Sequence, residues 1–163
     1  MKKERKVTET IIFFDRDVPD YELNEFCKNF EGNIVIANDL LLYDGLDISC
    51  SLFIMGGINF EDKNKGNNIR PEVNIHGDLY CEYINCYDIN VYGSLYCREE
   101  IDSTTIKIAG DLICNSIVNS NVHKITVAGD FECDTCEADE IIVLGNFKSN
   151  YCNAEFGVKT YGY

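Results

Sequence analysis

The strongest constraint on the fold of this chain is a repeat centred on glycine that fills its last two thirds. The pattern Val73-x-Ile75-x-Gly77-Asp78-Leu79-x-Cys81 returns around later glycines, and its last full copy has lost the cysteine. The central glycines are Gly77, Gly93, Gly110, Gly129 and Gly145. Subtracting their numbers in turn gives 16, 17, 19 and 16 residues per unit, and this periodicity indicates a repeat architecture.

The apolar residues of each unit lie two apart, which is the side-chain period of a β-strand. One unit cannot bury its inward side chains alone, but a stack of units can. Weaker copies are Ile34-x-Ile36-x-Asn38, Leu52-x-Ile54-x-Gly56 and Val158-x-Thr160-x-Gly162. We therefore predict an all-β fold, a right-handed parallel β-helix of about seven to eight turns. Residues 61–70 are predicted to leave this rod as a loop.

Residues 1–31 follow a different pattern, whereas residues 32–163 are predicted to form the β-helix. Residues 10–14 are typical of a strand, and Pro19 and Asp20 are typical of a helix start. The apolar side chains that follow have helical spacing and are Leu23, Phe26, Cys27 and Phe30. We interpret this helix, which should end at Gly32, as a lid over one end of the stack. The alternative interpretation is a helix that docks a partner.

The repeat also explains the cysteines. The column predicted to point inward four residues after each glycine is Cys81, Cys97, Cys114 and Cys133. The column predicted seven residues after the glycine is Ile84, Ile117, Cys136 and Cys152. Buried cysteine packs as a small apolar side chain. An odd total of nine cysteines favours free thiols over a disulfide framework.

The chain is strongly acidic, with 28 Asp and Glu against 14 Lys and Arg and a formal net charge of −14. Such a surface repels nucleic acid and anionic membranes and favours basic partners. Solubility alone is the alternative reason for the acidity. The apolar run behind the basic residues 2–6 is too short for a signal peptide, and no run is long enough to span a bilayer. We expect a soluble, cytoplasmic protein.

Patterns for catalysis or metal binding are weak, and we expect neither a cofactor nor a metal ion. Cys133 and Cys136 form a single CxxC pair, whereas a structural zinc site needs four ligands. Asp111 and Asp130 would lie on adjacent turns, where they could share a cation or act on a polysaccharide. That activity is a remote alternative. The residues after each glycine are instead expected to point outward and to hydrogen-bond the local backbone.

Five tyrosines lie within 17 residues of one another, among acidic side chains. Their spacing from glycine predicts that Tyr80, Tyr92 and Tyr96 face solvent together. Exposed tyrosines ringed by acids are typical of protein interfaces, and the high β-propensity of tyrosine is the alternative explanation. The predicted partner-binding residues are Tyr80, Tyr83, Tyr87, Tyr92, Tyr96, Glu82, Asp88, Glu99, Glu100 and Asp102.

The succession of Ile/Val-x-Ile/Val-x-Gly-Asp-Leu units over residues 32–163 resembles the bactofilin family of polymer-forming bacterial cytoskeletal proteins. The resemblance implies a right-handed β-helix whose ends stack into non-polar filaments without nucleotide. The predicted helical lid and the cysteine and tyrosine positions depart from that family. Self-assembly as a structural scaffold is therefore the alternative function.

The first expectation is a non-catalytic binding protein that occupies a basic surface of a partner protein, such as a nucleic-acid-processing enzyme. Small acidic inhibitors of the immunity and anti-defence type use such surfaces to imitate a phosphate backbone. The turn that begins at Val158 should leave backbone groups unpaired. A homodimer or an end-to-end oligomer is therefore expected through Val158, Tyr161 and Tyr163.

All nine cysteines are predicted to be free thiols in the cell, because the repeat explains six of them as core residues and the odd total disfavours a disulfide framework. A thiol titration under denaturing, non-reducing conditions should find all nine of them reactive. A titration that finds most of the thiols blocked would contradict this interpretation.

Overall fold

A computed structural model describes residues 10–28, 30, 32–60, 71–118 and 122–162. Its strands pair in parallel and wind into a β-solenoid of about seven turns, which confirms the predicted parallel β-helix. Each full turn passes through three strand positions, which we name faces A, B and C in chain order. Within these residues, no helix has both the length and the apolar character that crossing a membrane requires.

The chain passes through the three faces repeatedly, and the described residues include one helix, which lies before β3. The first elements are β1 (Ile11–Phe14), β2 (Val18–Pro19), α1 (Asp20–Cys27), β3 (Asn33–Ile36), β4 (Leu40–Leu42), β5 (Leu46–Ile48), β6 (Ser51–Ile54) and β7 (Ile58–Phe60). The next are β8 (Glu72–Ile75), β9 (Leu79–Cys81), β10 (Ile84–Asn85), β11 (Asp88–Val91), β12 (Leu95–Asp102) and β13 (Thr105–Ile108). The last are β14 (Leu112–Val118), β15 (Lys124–Val127), β16 (Phe131–Ala138), β17 (Glu140–Val143), β18 (Phe147–Ala154) and β19 (Val158–Thr160).

Faces A and B merge in the later turns, where one long strand serves both. Face A contains β1, β3, β6, β9 and the first halves of β12, β14, β16 and β18. Face B contains β2, β4, β7, β10 and the second halves of the long strands. Face C contains β5, β8, β11, β13, β15, β17 and β19. The register shifts between Cys97 and Glu100, and this irregularity accommodates the extra residue of the 17-residue unit.

The interior is built from columns of identical or similar side chains. The predicted inward column of Cys81, Cys97, Cys114 and Cys133 is confirmed, and all four side chains are buried on face A. The second predicted column lies on face B, where Ile101 pairs with Ile84. All the cysteines of the structure are free, and Cys152 is the exposed one. Burial raises the pKa of the Cys114 thiol, which leaves it protonated and unreactive at neutral pH.

The residue after each repeat glycine ties one turn to the next. The Asp111 N–H donates to Ser94 Oγ at 3.0 Å, and the Asp130 N–H donates to Asp111 Oδ1 at 2.8 Å. The whole series, which we name the corner ladder, is Ser51, Asp78, Ser94, Asp111, Asp130 and Asn146. The expectation that these side chains bond the local backbone is therefore wrong. Each side chain from Ser51 to Asp130 accepts from a backbone N–H of the following turn, and Asn146 ends the series by donating its Nδ2 to Asp130 Oδ1 at 3.1 Å.

The corner ladder also explains why glycine precedes it. A Cβ atom on Gly129 would lie 2.6 Å from the carbonyl oxygen of Gly110 and would overlap Asp111 Oδ1. The same overlap recurs at Gly93 and Gly145. Glycine is needed at this corner because successive turns approach too closely for any side chain.

The repeat frame of the early turns differs from the predicted one. Leu52 pairs with Leu79 on face A, whereas the prediction aligned it with Val73. Val73 instead pairs with Leu46 of β5. The apolar-x-apolar-x-glycine pattern occurs at the corner between faces A and B in the early turns and between faces C and A later. The predicted loop at residues 61–70 separates the two series and lies outside the described residues.

The predicted N-terminal helix is confirmed, although it is shorter than the apolar stripe indicated. It begins at Asp20 and ends at Cys27, before Phe30. Leu23 and Cys27 are buried against the rod, while Phe26 is exposed. The two strands before it belong to the stack, because β1 pairs with β3 and β2 pairs with β4.

Helix α1 occupies the place of a strand at the first rung of face C. Asn24 acts as the neighbouring strand would, because its Nδ2 donates to the Gly45 carbonyl at 2.8 Å and its Oδ1 accepts from the Asp47 N–H at 3.0 Å. The fully buried Asp20 carboxylate accepts from three consecutive backbone N–H groups, at residues 43, 44 and 45. These contacts cover the edge of β5, as the predicted lid requires.

Removing one rung of the corner ladder should destabilise the protein measurably. Asp111→Ala leaves the Asp130 N–H without its acceptor, and we expect a loss of about 1–2 kcal/mol in the free energy of unfolding. Asp111→Asn keeps the acceptor oxygen and should cost less than half as much. Urea denaturation of the two variants measures the difference, and equal losses would show that the hydrogen bond is not the cause.

Adding a methyl group at the same corner should cost more than the lost hydrogen bond. In Gly129→Ala the new Cβ meets backbone that cannot move without shifting a whole turn, so we expect a loss of about 2–3 kcal/mol. The control is Gly157→Ala, where no atom lies within 4 Å of the Cβ and only the positive φ of 84° opposes it. That control should lose about 1 kcal/mol. A smaller loss at Gly129 than at Gly157 would contradict the close-packing explanation.

Candidate functional site

The outer side of face A carries a continuous column of apolar and aromatic side chains. Strand register places each beside the next in the order Phe13, Val35, Phe53, Tyr80, Tyr96 and Ile113. The Phe53 and Tyr80 rings stack with centroids 4.4 Å apart and planes 7° apart. Tyr80 and Tyr96 stack at 4.6 Å and 8°. We name these six residues the face A column.

Stacking decides which part of each ring meets solvent. Consecutive rings cover one another's faces, so Tyr80 presents its edge and its hydroxyl group outward. Partial burial, the nearby Asp78 carboxylate and Tyr96 together raise the pKa of Tyr80. Its hydroxyl is therefore protonated at neutral pH and can donate a hydrogen bond. Covered ring faces are poorly suited to stacking on a sugar or a base, whereas apolar edges and hydroxyls suit a protein surface.

Acidic groups flank the face A column. The corner ladder lies two residues before it along each strand, and there Asp78 and Asp111 commit their Oδ1 atoms to backbone N–H groups. Their Oδ2 atoms accept no hydrogen bond from the residues that the structure describes. On the other flank Glu82 lies 3.6 Å from the Arg98 guanidinium. The first flank therefore carries carboxylates that the backbone holds in place, whereas on the second flank the Glu82 carboxylate is paired with Arg98.

A shallow depression of about 350 Å³ lies along the second flank. Its lining includes Met55, Tyr80, Glu82, Tyr96 and Ile113. Met55 is 66% exposed and Ile113 is 43% exposed, so the depression has apolar walls that contact solvent. An open apolar surface of this kind is typical of docking sites for proteins.

The structure separates the five predicted tyrosines. Tyr80 and Tyr96 belong to the face A column, whereas Tyr92 follows β11 at the end of face C. Tyr92 is 61% exposed and stacks on His76 at 4.7 Å. The three tyrosines therefore do not share one face, because the corner at Gly93 lies between Tyr92 and Tyr96.

Tyr83 and Tyr87 lie farther round the rod. The Tyr83 ring covers Gly57, and its hydroxyl donates to Asp39 Oδ2 at 3.2 Å while accepting from the Asn59 amide. Tyr87 lies between faces B and C, and its backbone N–H donates to the Pro71 carbonyl at 3.1 Å. The contacts of Tyr83 are internal, so it is a structural residue in this arrangement.

The predicted acidic residues are dispersed as well. Glu82 lies beside the face A column. Glu99 and Glu100 are exposed on β12, towards face B. Asp88 begins β11 on face C, and Asp102 ends β12. Of the ten residues predicted to bind a partner, Tyr80, Tyr96 and Glu82 thus lie together on one surface, and the binding role of all ten stays a prediction.

Two of the three residues predicted for self-association, Val158 and Tyr161, lie in the last described turn. Val158 pairs with Ile141 but is 36% exposed, and Tyr161 is 60% exposed. Tyr163 lies outside the described residues. Self-association through these residues stays a prediction.

The candidate catalytic and metal-binding residues have structural surroundings. A hydrogen bond from the Cys136 thiol lowers the pKa of Cys133, and both side chains are buried. Asp111 and Asp130 are joined through a backbone N–H of the corner ladder. Across the described ranges, no group of three or more His, Cys, Asp or Glu side chains is arranged to hold a metal ion.

Sequence reasoning missed Phe53, Met55 and Ile113 as members of this surface. Phe53 was hidden by the frame error, because its correct alignment through Leu52 and Leu79 places it directly beside Tyr80. Ile113 occupies the same repeat position as Tyr96, three residues after the glycine. The shared repeat position therefore predicts that Ile113 faces outward beside Tyr96, but considering tyrosines alone leaves this isoleucine out.

No known protein family, no curated protein and no solved structure matches this chain. The interpretation of the surface therefore depends on its own geometry and chemistry.

Proposed function

We propose that this chain is a non-catalytic binding protein that docks face A against a basic surface of a partner protein. The observation that carries the proposal is the face A column, in which Phe53, Tyr80 and Tyr96 stack and end at the exposed Ile113. Aromatic side chains on a rigid strand lose little conformational freedom on binding and offer large apolar area. Such clusters supply most of the binding energy in protein interfaces.

Charge supports a basic partner. The chain has a formal net charge of −14, and the carboxylates of Asp78 and Asp111 flank the column on one side, while Glu82 on the other side is paired with Arg98. An apolar centre with a charged rim is the usual anatomy of a specific interface. Long-range attraction would speed the encounter with a positively charged partner and would weaken with salt.

The openness of face A favours docking over catalysis. The depression beside Tyr80 and Tyr96 is shallow, whereas enzymes generally enclose the reacting groups to exclude water. Nucleic-acid-processing enzymes present basic surfaces of the required sign. We therefore propose this class as the partner, with the acidic chain acting as an inhibitor that competes with nucleic acid.

Affinity capture from an extract of cells that naturally express the protein tests this proposal. Met55→Lys places a positive charge beside the face A column at a 66% exposed position, so folding should be unaffected. We expect the variant to recover at least about tenfold less of the captured partner than the unmodified protein. Capture by the unmodified protein should also fall as NaCl rises from about 0.1 to about 0.5 M.

The matched control is Leu144→Lys, which introduces the same charge at a 50% exposed position after β17 on face C. Capture by this variant should stay within about twofold of that by the unmodified protein. Equal losses in the two variants would indicate a general charge effect. An unchanged yield with Met55→Lys would exclude face A as the docking surface.

A self-assembling scaffold, as in the bactofilin resemblance, is the second candidate. The observation that favours it is the exposed apolar surface of the last described turn, where Val158 and Phe156 are 36% and 68% exposed. In that case the sedimentation coefficient of the pure protein should rise with concentration. A coefficient that is constant over a hundredfold concentration range, about 1–100 μM, would exclude the scaffold.

A further inference from the structure

The face A column repeats at a spacing that selects the shape of its occupant. Stacked rings recur every 4.4–4.6 Å along the rod, close to the strand spacing of about 4.8 Å. Phe53, Tyr80, Tyr96 and Ile113 therefore make four apolar contacts in a straight line about 14 Å long. A partner that fits this line must present apolar side chains at nearly the same interval.

An α-helix comes much closer to this interval than an extended strand does. One helical turn advances about 5.4 Å. Over four rungs of the rod, the side chains of one apolar stripe would therefore be displaced by only about 2 Å from the rungs they contact. Same-side residues of an extended strand recur every 6.6–6.8 Å, roughly, and would drift by about 6 Å over the same distance. Side chains of an i, i+3, i+4, i+7 stripe can absorb the smaller drift but not the larger one.

The flanks define the charge of that helix. Neighbouring outward positions of a strand lie about 7 Å apart, so Asp78 and Asp111 lie on one side of the column, and the ion pair of Glu82 with Arg98 lies on the other. A helix is about 10–12 Å across, and long Lys or Arg side chains beside its apolar stripe would reach the row of Asp78 and Asp111. The Oδ2 atoms of Asp78 and Asp111 remain available to accept these contacts, with no bond to them from the described part of the chain.

We propose that the segment of the partner that face A binds is a basic amphipathic α-helix lying parallel to the axis of the rod. Its apolar stripe contacts Phe53, Tyr80, Tyr96 and Ile113, and its basic side chains meet the carboxylates of Asp78 and Asp111. The proposal rests on the proposed function, since it specifies the chemistry of the partner at the same surface.

Two synthetic peptides of identical composition test the shape of the occupant. Both contain 18 residues, about half leucine and half lysine; one has helical periodicity and the other alternates strictly, as a strand does. We expect the helical peptide to bind the full chain at least about tenfold more tightly in fluorescence anisotropy at about 0.1 M NaCl. Circular dichroism should show the helical peptide gaining helix on binding.

Variants of the full chain place the binding on face A. The double variant Tyr80→Ser with Tyr96→Ser changes no charge and should lower the affinity for the helical peptide at least about tenfold. Tyr92→Ser should change that affinity less than about twofold. Because the double variant removes a ring stack, its far-UV circular dichroism is compared with that of the unmodified protein. Met55→Lys changes an exposed side chain and leaves the ring stack intact, so it should not disturb folding. It should also weaken the binding of the helical peptide.

Equal affinity for the two peptides would overturn the helical proposal, because charge alone would then explain the binding. If Tyr92→Ser lowered the affinity for the helical peptide more than Met55→Lys does, the peptide would not bind on face A and the proposed location would be wrong. If capture from cells depends on Met55 but the captured segment binds in an extended form, the proposed function stands and this inference fails. If Met55→Lys captures as much partner as the unmodified protein does, the proposed function fails as well.

Discussion

The close approach of successive turns at the corner between faces C and A is the constraint on which the rest of the structure depends. A glycine allows the approach, and the side-chain oxygen of the next residue accepts a hydrogen bond from the backbone N–H of the following turn, as Asp111 Oδ1 does from the Asp130 N–H. This hydrogen bond fixes the register of one turn on the next. Because the register is fixed, residues at the same repeat position stack, and columns such as Cys81–Cys97–Cys114 follow directly.

The same register produces the surface to which we assign function. Tyr80 and Tyr96 stack outside for the same reason that Cys81 and Cys97 stack inside, because alternate residues of a strand point to opposite sides. The result is a rigid apolar line whose rung spacing is set by the backbone and not by the side chains. The corner ladder contributes twice, since Asp78 and Asp111 hold the turns together with one carboxylate oxygen, while the other accepts no hydrogen bond from the described residues.

The sequence was sufficient for the architecture and insufficient for the surface. Except at Cys152, which is exposed, the repeat from Gly77 onward predicted the inward columns correctly, because one glycine per turn marks a constant corner. The repeat alignment was wrong before residue 61, because Gly56 marks the corner between faces A and B. The insertion at residues 61–70 interrupts the constant spacing of the repeat, so the spacing did not show the misalignment. Proximity along the chain also misled, because Tyr92 and Tyr96 are four residues apart but lie on different faces. Only the pairing of β6 with β9 brings Phe53 beside Tyr80.

Hydroxyl-radical footprinting of the protein, free and in its complex from the native cell, tests the central claim most directly. Met55, Tyr80 and Tyr96 should be protected from oxidation in the complex, because face A is covered by the partner. Tyr92 and Tyr161, which are 61% and 60% exposed elsewhere on the rod, should be oxidised equally in both states. Protection of Tyr92 or Tyr161 with undiminished oxidation of Met55 would contradict the account.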